Sequence, residues 1–155
     1  RAAPAAQAAA KPPLTNLLSP ANGGQILAAP HPSWEKIISG NDNDVLGIES
    51  PGEAVFAFKD ERPATFATFA MLIQGQAGGH PAEFELLVSD DLSGPFRSLG
   101  TFKAQNIRLT RTPYQEFTFP ETTAKYLKLR VISSYGRSGF GYMLVPQIRL
   151  LGTPN

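Results

Sequence analysis

Tyr135, Arg137, Phe140 and Tyr142 form the strongest cluster of recognition-type side chains in this chain. They fall in the segment from Ser133 to Met143, where Gly136, Gly139 and Gly141 leave the larger side chains little to hide behind. Aromatic rings present flat apolar faces, and arginine presents a planar fan of donors. That combination suits recognition of a ligand rather than covalent chemistry. An ordinary connection of this length would be small and polar.

Catalysis finds little support. No serine lies in a nucleophile-elbow sequence, and two histidines are the only imidazole bases. No P-loop, dinucleotide fingerprint or HExxH pattern is present. Glu83 and Glu85 have strand spacing on one face, while Glu49 and Glu53 flank a Gly/Pro turn. A carboxylate pair can in principle hydrolyse a glycoside, but acidic pairs on exposed strand faces usually only solubilise. The chain lacks cysteine, which excludes a disulfide framework, a thiol nucleophile and a thiolate metal site.

The elements that must position the aromatic segment are β-type. Before it, Tyr126, Leu127, Leu129, Val131 and Ile132 form a run with Lys128 and Arg130 on the opposite face. After it come Ile148, Leu150 and Leu151. Period-two alternation marks strands with one buried and one wet face. Further strands are expected at Leu14–Leu18, Gly24–Leu27, Ala54–Phe58, Thr65–Ile73, Phe84–Val88, Phe96–Phe102 and Tyr114–Phe119. Thr65–Ile73 is almost continuously apolar, as a strand in a sandwich centre would be. Trp34–Ile38 reads as one helical turn or a short strand, with Trp34 as core. Turns are expected at Asp60–Pro63 and from Ser89–Asp90–Asp91 to Gly94.

With 155 residues, a charged fraction of 17%, and 14 glycines and 14 prolines, the chain suits one all-β domain with many turns. A net charge of +1 with scattered Lys and Arg argues against nucleic-acid binding by bulk electrostatics. No apolar run reaches membrane-spanning length. Residues 1–13, RAAPAAQAAAKPP, form an Ala/Pro-rich linker ahead of a domain over 14–155. Such a tether commonly follows a removed export signal or separates domains, so a larger parent protein is expected.

Several segments resemble the discoidin, or coagulation-factor type C, family of galactose-binding-like jelly rolls. They are Asn22–Gly23–Gly24, Trp34 before a Gly/Asn/Asp loop, FELLVSDDLSGPFRSLGTF, YQEFTFP, AKYLKLRVISSYG and the closing PQIRLLG. The resemblance implies an all-β jelly-roll β-sandwich of about eight strands. It also implies that ligand groups sit on loops at one end of the sandwich, where an aromatic stacks on a sugar and planar polar groups take its hydroxyls. Tyr135, Arg137, Phe140 and Tyr142 fit that pattern. His80, in GQAGGH, and Arg111, in RLTRTP, lie on loops that could converge on the same end, and His31 and Trp34 could add to it. Each also has a plainer reading. His80 could be a loop residue beside Pro81, Arg111 a solvated charge beside Arg108, and Tyr142 packing under the last strand.

The family commonly holds a structural calcium near the start of the sandwich, and Ser39–Gly40–Asn41–Asp42–Asn43–Asp44 matches that loop. Asn41, Asp42 and Asp44 carry oxygens suited to a hard cation. The alternative is a solvated Asx-rich turn. Ser39 stands where the family pattern has Asp, and Gln147 where it has Glu, which should weaken calcium binding. The sequence requires no cofactor; calcium is the one the resemblance implies.

These readings lead to an expected noncatalytic carbohydrate-binding module of a larger exported bacterial protein, periplasmic, cell-surface or secreted. Its partners would be a glycan or polysaccharide and neighbouring domains of the same polypeptide. Nucleic acid and membrane insertion are not expected. The alternative is a protein–protein or structural docking module with the same fold.

Overall fold

A computed structural model describes residues 13–44, 46–48, 52–72, 81–105, 114–135 and 143–155 of the chain. The strands are β1 (Thr15–Asn16), β2 (Gln25–Ala28), β3 (Leu46–Ile48), β4 (Gly52–Ala57), β5 (Ala64–Leu72) and β6 (Glu83–Ser89). They continue with β7 (Arg97–Lys103), β8 (Tyr114–Ala124), β9 (Tyr126–Val131), β10 (Met143–Val145) and β11 (Ile148–Pro154). Eight of them have four residues or more, in line with the expected count. A four-stranded sheet, β1-β11-β5-β8, faces a five-stranded sheet, β2-β4-β9-β6-β7, and β3 pairs with β10 in a short ribbon. All pairings are antiparallel.

Alternation explains the layers. In β6, Phe84, Leu86 and Val88 are buried while Glu83, Glu85, Leu87 and Ser89 are not. In β9, Leu127, Leu129 and Val131 turn inward with them. The core is aromatic where the sheets meet: Phe84 packs edge-on against Phe117 of the opposite sheet at 4.9 Å between ring centres. Phe69 and Phe102 lie 5.4 and 5.7 Å from the same ring. Apolar burial of this kind is the main favourable term in folding.

Three local expectations change. Leu14–Leu18 yields only a two-residue strand. The Asn16 side-chain oxygen accepts from Leu18 N and Leu150 N, turning the chain so that Leu17 and Leu18 enter the core. Tyr126, counted with the apolar run, is buried but lies on the Lys128 and Arg130 face. It joins Val55 and Ala57 in a second apolar cluster, with Leu27 and Phe96 packed against it. Ile132, counted with the apolar run, is exposed.

Trp34–Ile38 forms the greater part of a 3-10 helix, Pro32–Ile38, whose Trp34, Ile37 and Ile38 are buried. Pro32 suits the first helical position because its missing N–H would be unpaired there anyway. His31 caps the helix by accepting from Ser33 N through Nδ1 at 3.2 Å. Trp34 is core, and it demands a glycine opposite. A Cβ on Gly52 would come within 2.9 Å of the indole.

Candidate functional site

Strand register brings the ends of β5, β7 and β9 and the beginnings of β4, β6 and β8 to one pole of the sandwich. Leu72 pairs with Tyr114, Glu83 with Lys103, and Val131 with both Phe84 and Gly52. The two sheets are clasped there by a reciprocal pair. Gln105 N donates to Gln115 Oε1 at 3.0 Å, and Gln115 Nε2 donates to Gln105 O at 3.1 Å. His80, Arg111, Arg137, Phe140 and Tyr142 lie outside the described residues.

Tyr135 is described. It is half-buried, and its hydroxyl donates to the carbonyl oxygen of Ala104 at the end of β7. The backbone below it is stitched to both neighbours: Ala82 N donates to Ser133 O and Ala104 N to Ala82 O. Ser133 Oγ accepts from Glu83 N at 3.2 Å, and Ser134 bridges to Pro81. A ring anchored through its hydroxyl keeps its orientation, so Tyr135 stands on rigid backbone at the rim. A shallow concavity of about 520 Å³ opens on the five-stranded sheet, lined by Gly52, Glu53, Arg130, Val131 and Ile132.

Glu53 and Glu85 on this face are engaged with cations. Arg130 meets Glu85 at 3.2 Å and Glu53 at 3.6 Å, and Lys128 meets Glu53 at 3.7 Å. The Lys128 ammonium also lies 4.4 Å from the centre of the Phe96 ring. Glu83 accepts from Ser133 Oγ at 3.3 Å. This cross-strand pattern is that of a solvated sheet face rather than of an acid–base pair.

The loop after the 3-10 helix carries Asn41, Asp42 and Asp44, and each has a partner within the protein. Asn41 Oδ1 accepts from Asn43 N at 3.0 Å. Asp44 Oδ2 accepts from the Ser39 hydroxyl at 2.8 Å. Asp42 Oδ1 accepts from the Tyr114 hydroxyl at 2.8 Å. Burial, and then that bond to Asp42, push the Tyr114 phenol up to about 12. The Arg149 guanidinium, 3.9 Å from the centre of the Tyr114 ring, pulls the other way. Behind the loop lies Gln147, 1% exposed. Its Nε2 donates to Asp44 O at 3.1 Å and to Lys36 O, and its Oε1 accepts from Gly40 N at 2.9 Å.

These residues fit a calcium ion poorly as they are arranged. A cation there would need oxygen ligands converging on it, whereas two backbone carbonyls already converge on an N–H₂ group. Among the described residues, no group of three or more His, Asp or Glu side chains is placed to hold a metal.

Sequence reasoning singled out Tyr135 but not Tyr114, Arg149 or the Gln105–Gln115 clasp. Tyr114 opens YQEFTFP, and a tyrosine ahead of an alternating strand was the only available signal. The clasp has none, because the Gln115 side chain bonds only to the backbone N–H and carbonyl of Gln105.

The sequence matches no protein-family model and no curated protein. Solved structures are similar over most of its length. CBM32-3 from a family 31 glycoside hydrolase of Clostridium perfringens has a TM-score of 0.69 at 15% identity, covering 86% of this chain and 92% of that one. CpGH89CBM32-5 from C. perfringens, in complex with GalNAc-β-1,3-galactose, has a TM-score of 0.65 at 17% identity, covering 88% and 99%. The family 32 module of C. perfringens NanJ, in complex with galactose, has a TM-score of 0.65 at 13% identity, covering 89% and 98%. At this level of identity the likeness establishes the fold. The chain has the all-β jelly-roll sandwich fold of these modules, the discoidin or galactose-binding-like fold.

Proposed function

We propose that this domain is a noncatalytic carbohydrate-binding module of a larger exported bacterial protein, recognising a glycan with the loops at the Tyr135 pole. The observation that carries the reading is the sandwich shared with family 32 modules, two of them in complex with galactose-containing sugars. The rigidly anchored Tyr135 at the converging strand ends agrees with it. Tyr135 and Phe140 would give the stacking platform, and Arg137, His80, Arg111 and Tyr142 the groups for the hydroxyls. No helix among the described residues is long and apolar enough to cross a membrane. Partner domains of the same polypeptide would hold the module near its substrate. A shallow site with one platform binds weakly, roughly in the millimolar to micromolar range, and tethering makes that useful through effective concentration.

A glycan array, followed by titration calorimetry with galactosides and uronic-acid polymers, tests this directly. Saturable binding to one sugar class is the expected result. Clean negatives across both would remove the proposal.

A further inference from the structure

Gln147 uses both of its N–H donors and its carbonyl oxygen inside the protein. Both Nε2 hydrogens go to backbone carbonyls, Lys36 O and Asp44 O, and Oε1 takes the N–H of Gly40. The amide can sit in only one sense. Reversing it would set oxygen against two carbonyl oxygens and an N–H against an N–H. The side chain belongs to the residue just before β11, while its three partners are spread over residues 36–44. It therefore ties the end of the 3-10 helix and the loop after it to the start of β11 in the four-stranded sheet.

We infer that the Gln147 side-chain amide takes the structural place of a cation in this domain, so that the 36–44 segment closes onto the sandwich without calcium. The donor set supports this. Carbonyl oxygens that gather around a positive charge in a cation site gather here around the positive end of an N–H₂ dipole. The carboxylate of Asp44 turns instead to the Ser39 hydroxyl, and that of Asp42 to Tyr114. Ser39 then relays to the backbone by accepting from Asn41 N at 3.2 Å. Neutral Ser39 and neutral Gln147 are thus one arrangement, since a carboxylate at 147 would face both carbonyls with no proton to offer them. The inference does not depend on sugar binding.

The experiment is thermal melting of the whole 155-residue chain in calcium chloride and in chelator, for wild type, Gln147→Glu and Gln147→Met. Wild type should melt at the same temperature in both solutions; a saturable rise with calcium would overturn the inference. Gln147→Glu should lose about 5 °C or more in chelator and regain much of it with calcium. Magnesium, which demands a tighter octahedral shell, should restore less. A Gln147→Glu domain as stable as wild type and indifferent to calcium would also overturn it. Should that variant yield no folded protein, Gln147→Met decides. It keeps the volume without the donors, and should melt lower than wild type in both solutions, whereas wild-type stability would count against the inference.

Discussion

The Tyr114 hydroxyl donates to Asp42 across 72 positions of sequence, while the Arg149 guanidinium covers the face of the same ring. Phenol, carboxylate and guanidinium thus fix the acidic loop to β8 and β11 together.

Tyr114→Phe should cost about 0.5–1.5 kcal/mol at neutral pH, the ordinary net value of one hydrogen bond. Its pH signature is more specific. The folded-state value of about 12 lies above the usual 10, so the phenol's contribution is complete below pH 10 and is lost as pH rises through 12. Wild type should therefore lose stability between pH 10 and 12 more steeply than Tyr114→Phe. Urea melts at several pH values measure the difference. Parallel curves for the two proteins would mean that the phenol is not held in this way.

Tyr135 separates anchoring from recognition. Tyr135→Phe removes the bond to Ala104 O and should lower stability by about 1 kcal/mol while leaving any sugar affinity nearly intact. Tyr135→Ala also removes the ring and should weaken sugar binding about three- to tenfold. Phe140→Ala should weaken it without lowering the melting temperature. Calorimetric titration alongside thermal melting distinguishes these cases. Equal affinity for Tyr135→Ala and wild type would remove the stacking role.

Phe84→Ala should be severely destabilising, by about 3–5 kcal/mol, because it opens a void between rings of both sheets. Phe84→Leu should cost less, since it refills part of that space. Denaturant unfolding measures both. A loss under about 1 kcal/mol for the alanine variant would mean that the aromatic cluster can collapse around the gap.

Where one face of a strand is buried and the other wet, the sequence already declares the architecture. The alternation of Phe84, Leu86 and Val88, and of Leu127, Leu129 and Val131, is that signal. Tyr126 is rightly counted as apolar, but on the wrong face, because a second cluster with Phe96 and Leu27 buries part of the outer side. The β3–β10 ribbon escaped notice because three-residue strands are too short to show a period. At the candidate site, Tyr135 was legible from its type and its glycine neighbours. The work of Gln147 was not. Its residue type said only that a charge was missing, and its partners are backbone atoms that leave no mark in the sequence.

The pairing of Thr15 with Gly152 runs β11 away from the Tyr135 pole, and Asn155 N donates to Pro63 O beside the start of β5. The two extremities of the described residues are therefore neighbours, at the pole opposite the rim. Any polypeptide joined at either one would hold the domain like a lamp on a stalk. Its rim would face outward whichever side the attachment came from, and a tug on the stalk would load the β1–β11 edge before it reached the rim.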